Sequence, residues 1–180
     1  MKKNNVYKTA LGAILCAQAL ALSFLEGLLP PLPFLPPGAK PGFSNIITMF
    51  AAGSIGLPTA LAITVIKGGF VFVTRGATGA LMSISGGVLS VVAMYFLLKY
   101  ARGIFGLAGI SIICALCHNC GQLFAAAFIT GTADIIFYAP ALLVFGAVTG
   151  TVTGLILKAV IPVLEKQKKY FFKSEELNYG

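Results

Sequence analysis

The chain has 180 residues, 58% of them hydrophobic and only 10% charged, with a mean hydropathy of +0.93. No ordinary soluble domain is so apolar, and the composition reads as a polytopic membrane protein. The formal charge of +8 does not imply a nucleic-acid partner, because the basic residues stand at the ends of apolar segments rather than in a patch interleaved with aromatics.

The first apolar segment, 9–29, follows Met1-Lys2-Lys3 and runs for about 20 residues, beyond the ~7 to 15 of a signal-peptide core. It is expected to be an uncleaved first transmembrane helix. Ala13, Ala17 and Ala21 recur at i, i+4, i+8 and make a smooth face. Such a face serves either packing within a bundle or docking of another membrane subunit. Gly146, Gly150 and Gly154 repeat the pattern near the C-terminus, with the same two readings.

Between Leu29 and Gly42 lie six prolines, which cannot continue a helix but build a stiff, extended, apolar loop. Pro33, Phe34 and Lys40 mark it as a candidate cap over an outward-facing pocket; the plainer alternative is a connector pressed into the membrane interface. Glu26 just before the loop and Asn45 just after it bring polar groups to the same mouth.

Six spans are expected, at about 9–29, 43–57, 58–74, 79–99, 103–130 and 139–161. The second and third are too short for two full crossings, so one of them is tilted, broken or partly spanning, with Pro58 at the division. The fold class is therefore an all-α integral membrane protein, a six-helix transmembrane bundle in one domain, 1–165. A basic and aromatic tail, 166–180, lies against the inner membrane surface. With the N-terminus in the cytoplasm, ten of the thirteen Lys and Arg residues fall inside, which satisfies the positive-inside rule with both termini cytoplasmic.

The stretch Cys114 to Gln122 holds the chain's one histidine. On a helix Cys114, His118 and Gln122 share a face, with Asn119 about 100° round. Polar side chains at that depth either bind a ligand or form an internal network that fixes helix packing. Cys114-x-x-Cys117-His118 matches a haem-attachment pattern and Cys117-x-x-Cys120 a dithiol. Both are set aside, because apolar surroundings disfavour thiolates and no second histidine exists for a metal site. Lys67, eight residues before Arg75, is the other costly group, a cationic contact for a ligand or a partner for Glu26. Gly68 and Gly69 beside it allow close approach. No D-D-x-x-D, P-loop or G-x-S-x-G motif is present, and Asp134 is the sole aspartate, so magnesium–diphosphate catalysis is hard to build and no enzyme activity, cofactor or metal is expected.

At Leu28-Leu29-Pro30-Pro31-Leu32-Pro33, at Pro37-Gly38-Ala39-Lys40-Pro41-Gly42-Phe43-Ser44-Asn45-Ile46, and at His118-Asn119-Cys120-Gly121-Gln122, the sequence resembles a bacterial membrane family. That family is called heptaprenyl diphosphate synthase component I and also the Gx transporter family, and the resemblance covers about 9–165. The family is in turn similar to the substrate-binding S components of energy-coupling factor (ECF) transporters. The resemblance implies a bacterial cytoplasmic-membrane protein whose first loop caps an outward pocket. It also implies that Ala13, Ala17 and Ala21 dock the transmembrane T subunit of a complex driven by ATPase subunits. The pocket is then lined by Glu26, Asn45, Lys67, His118, Asn119 and Gln122, and family context points to a flavin or an isoprenoid or quinone precursor as substrate. The alternative is a non-catalytic membrane accessory component of heptaprenyl diphosphate synthesis.

Overall fold

The computed structural model describes residues 2–30 and 40–173, with side chains for 6–30 and 40–166. Pro33, Phe34 and the end of the basic tail lie outside the described residues. Among those residues the chain is all-helical: α1 (Lys2–Gly27), α2 (Asn45–Ser54), α3 (Leu57–Tyr100), α4 (Arg102–Thr130), a 3-10 turn (Ala133–Tyr138) and α5 (Ala139–Lys173). Four stretches are long and apolar enough to cross a membrane: Val6–Gly27, Leu57–Tyr100, Arg102–Thr130 and Ala133–Lys166. The outer faces fit that role. Val73, Phe128 and Phe137 are 80% or more exposed, an arrangement that water penalises and lipid does not.

The six-helix expectation is corrected to five α-helices. The segments read as separate third and fourth spans form one element, α3, interrupted only at Gly76 (φ 77°, ψ −177°). That conformation is open to glycine and strained for other residues, so a single residue does the work of the expected loop at 75–78. At ~1.5 Å per residue the element would be roughly 66 Å long if straight, about twice a bilayer core. It folds back on itself instead: Ile84 lies where a Cβ on Gly68 would be, and Thr64 where one on Gly87 would be. Both pairs are nearly equidistant in sequence from Gly76, as an antiparallel hairpin requires.

Of the two short spans, the second, 43–57, is the partial one, and its helix is shorter than the expected bounds. Its helix is the ten-residue α2, roughly 15 Å long and able to cross only about half of a bilayer core. Gly56 (φ 129°) ends the turn after it, and Pro58 sits in the first turn of α3, where its missing N–H leaves no bond unmade.

Glycine also sets how closely the long helices meet. A Cβ on Gly121 would lie 2.6 Å from the Ser85 carbonyl oxygen, and one on Gly150 2.5 Å from Ile112 Cα, so α4 packs backbone to backbone against both α3 and α5. The Gly146, Gly150 and Gly154 stripe is thus spent inside the bundle, on α4. Ala13, Ala17 and Ala21 are all exposed, while Leu11, Leu15, Ala19, Ser23 and Glu26 form the buried face of α1.

Candidate functional site

The core around α2 is apolar, with Leu11, Leu15, Ile46, Phe50, Ile63, Met94 and Ile110 all 5% exposed or less. Within it lies a connected set of polar side chains. Lys67 is 2% exposed, His118 4%, Asn45 4%, Gln122 2% and Glu26 5%, so each must find its partners inside the protein.

Glu26, the penultimate residue of α1, accepts hydrogen bonds from the backbone N–H groups of Gly42 and Phe43 and from Ser44 Oγ (3.2 Å). Its carboxylate therefore sits at the start of α2, where free N–H groups and the helix dipole favour negative charge. It also fastens segment 40–44 to α1. Gly42 can take this position because it has φ +84° and no side chain: a Cβ would lie 2.9 Å from His118 Nε2 and 3.0 Å from Asn45 Nδ2.

Lys67 reaches the same point from α3. Its Nζ donates to Asn45 Oδ1 (2.5 Å) and to Ser44 Oγ (3.3 Å). An ammonium can only donate, so the Asn45 carbonyl faces it and the Asn45 amide donates to His118 Nδ1 at 2.8 Å. The ring proton of a neutral His118 then belongs on Nε2, which faces the Gln122 side-chain nitrogen at 2.9 Å. That nitrogen also donates to the Lys40 carbonyl at 3.1 Å. Gln122 can turn its oxygen to the imidazole N–H or keep its nitrogen on the Lys40 carbonyl, but not both. In the arrangement seen, Gln122 Oε1 is buried and has no partner among the described residues.

Lys40 and Arg75 complete the mouth. Lys40 Nζ donates to the Leu29 carbonyl. Partial burial pushes the Lys40 ammonium below the usual lysine range, helped by Arg75 nearby and partly offset by Glu26. Arg75 precedes the Gly76 break, and its Nη1 is buried with no hydrogen-bond partner among the described residues. Together with Ser23, Ser44, Ser83, Lys67, His118 and Gln122, these groups line a cavity of about 10 Å³, room for roughly one water. On the other side of Gly42 a second cavity of the same size is lined by Asn45, His118, Ser90, Ser111 and Thr153. Among the described residues the hydroxyls of Ser90 and Ser111 have no partner there. Both cavities touch Gly42 and His118, so segment 40–45 is a wedge dividing what would otherwise be one polar chamber.

Five of the six expected pocket residues therefore meet: Glu26, Asn45, Lys67, His118 and Gln122. Asn119 does not join them. It donates from Nδ2 to the Leu142 carbonyl (2.9 Å) under Gly146 and ties α4 to α5. Of the cysteines, Cys114 packs its sulfur 3.8 Å from that of Met94, and Cys120 faces outward. Arg75, Ser23, Ser44 and Ser83 were not expected in the cluster. Arg75 reads in sequence as a charge that ends a span, and isolated serines are common in apolar helices.

The fold and this cluster define a multi-pass, all-helical membrane protein with a charged site buried in its apolar interior. Neither a curated protein nor a solved structure matches the chain. The family model for heptaprenyl diphosphate synthase component I matches residues 15–160, and the chain belongs to that family.

Proposed function

We propose that the protein is a substrate-binding membrane subunit of the ECF S-component kind, which captures a small molecule from outside for uptake by a T subunit and ATPases. The observation that carries this reading is the wedge. A half-length helix starts in the interior at the level of Lys67, its N-terminus in a polar cluster, and the segment leading into it fills the chamber. Broken helices whose ends meet polar groups inside the membrane are a recurrent way to bind and release solutes. Counting the two arms of α3 separately and adding α2 gives six helical segments. The distribution of Lys and Arg supports a topology with both termini in the cytoplasm and the mouth at Lys40 and Arg75 outside. Ala13, Ala17 and Ala21, exposed on α1, supply a smooth face for the T subunit.

A second reading draws its support from the family description: a non-catalytic membrane accessory of heptaprenyl diphosphate synthesis, acting with a soluble synthase. Affinity purification of the tagged full chain from its native membrane separates the two. Recovery of a T subunit with ATPases, lost on Ala17→Leu, supports the transport reading. Recovery of a soluble prenyl synthase whose activity falls when this chain is absent replaces it.

A further inference from the structure

The chamber carries an imbalance of charge. Lys40, Lys67 and Arg75 line it, and among the described acidic residues only Glu26 does, a formal excess of two positive charges. Glu26 is also the most committed of these groups, since both its oxygens are taken by Gly42, Phe43 and Ser44. Lys67 is held by a hydroxyl and an amide, both neutral. Arg75 Nη1, a strong donor, and Gln122 Oε1 are buried in the same lining without partners among the described residues. Cations held only by neutral groups, and a buried guanidinium nitrogen with no partner among the described residues, are costly in an apolar interior, and their concentration around one cavity is the pattern of a site whose counter-ion belongs to a ligand.

We propose that this chamber receives the anionic head of a small molecule, a phosphate or carboxylate group, with Arg75 and Lys67 as its charge partners and Gln122 as a neutral contact. Glu26 is the anion's internal rival. It occupies the N-terminal end of α2, which an incoming anion would also favour, and it pins the wedge at 40–44 that keeps the cavity at one-water size. Entry of the ligand head requires the wedge to withdraw, which exposes the Lys67 ammonium and merges the two small cavities. The guanidinium fork of Arg75 suits bidentate contact with either oxyanion.

This inference rests on the chamber being a ligand site and does not require transport. The test is thermal unfolding of the full-length protein in neutral detergent, titrated with sodium phosphate or sodium acetate against sodium chloride at equal ionic strength. Phosphate or acetate is expected to raise the unfolding temperature saturably where chloride does not. Arg75→Gln is expected to weaken the apparent affinity at least tenfold, and Arg75→Lys, which restores the charge without the bidentate fork, to recover only part of it. Glu26→Gln keeps an oxygen for the Gly42 and Phe43 N–H groups while removing the competing charge, and is expected to strengthen anion binding about tenfold. A residue with only a structural role would not reverse sign in this way, and helicity by circular dichroism confirms that each variant is folded. Repeating the titration in phosphatidylcholine and phosphatidylglycerol nanodiscs identifies the source of the anion. A lipid headgroup makes phosphatidylglycerol alone stabilising and blocks added phosphate, whereas a soluble ligand leaves the two nanodiscs alike. The proposal is overturned if no anion stabilises saturably in any medium, or if Arg75→Gln and Glu26→Gln bind as the wild type does. Failure to recover a T subunit, with anion binding intact, would remove the transport reading and leave this one standing.

Discussion

Replacing Gly42 by alanine tests the wedge most sharply. The backbone there is left-handed at φ +84°, which costs a residue with a Cβ about 1 kcal/mol. The new methyl would also lie 2.9 Å from His118 Nε2 and 3.0 Å from His118 Cδ2. The imidazole cannot retreat easily, because it is backed by α3: a Cβ on Gly86 would stand 2.8 Å from its Cε1 and Nδ1. Overpacking of this kind costs about 1 to 3 kcal/mol, so the closed wedge should lose at least about 2 kcal/mol relative to an open one. That corresponds to about 30-fold weaker protection of the amides in 42–46. Hydrogen–deuterium exchange with mass spectrometry of the detergent-solubilised protein reads it directly. The expected result is faster exchange confined to this segment, with α4 and α5 unchanged. Protection within threefold of the wild type would mean that Gly42 is not wedged against His118, and the divided-chamber argument would fall with it.

Three further outcomes follow from the same geometry. Gly150→Val should destabilise the fold by more than about 2 kcal/mol, because its side chain would meet α4 backbone at Ile112; Ala17→Leu, on an exposed face, should change stability by less than about 0.5 kcal/mol. Unfolding midpoints of the two variants check this contrast, and equal losses would contradict the assignment of one stripe to the bundle and the other to its outside. Lys40 gives a pH dependence. Its ammonium titrates below the usual lysine range in the folded chain, so its folding penalty is full while both states are protonated and fades as pH rises towards the ordinary value near 10.4. The affinity for sulfate, an anion that does not itself titrate there, should therefore fall with rising pH earlier than an ordinary lysine would allow. Lys40→Gln should lower the sulfate affinity and shrink that fall, Lys67 in the same lining supplying the remainder, as isothermal titration across pH can measure.

Much of this site was readable in the sequence because polar groups inside apolar helices are few. The eight-residue offset from Arg75 put Lys67 deep in the bundle, and the i, i+4 spacing put His118 and Gln122 on one face; in the structure all three are buried together. Asn119, about 100° round from that face, turns to α5 instead, because α4 is covered on two sides and one helix's periodicity does not say which side α3 or α5 takes. Arg75 was read only as a topology signal, since nothing in sequence reveals that its guanidinium turns inward. The helix count failed for a related reason. Hydropathy marks apolar length, but whether 75–78 is a loop or a one-residue break depends on Gly76 adopting a conformation that neighbouring sequence does not dictate. Conversely, the shortness of the segments either side of Pro58 did foretell a partial crossing, because ten helical residues cannot span a bilayer whatever they pack against.

The central claim is that segment 40–45 closes a chamber built to recognise an anionic small molecule. Native mass spectrometry of the full-length protein, incubated with a small-molecule extract of its source cell, tests that claim most directly. A one-to-one adduct is expected whose fragments carry phosphate or carboxylate, present on the wild type and lost from Arg75→Gln. A wild type that takes up nothing, or an adduct retained equally by Arg75→Gln, would contradict it.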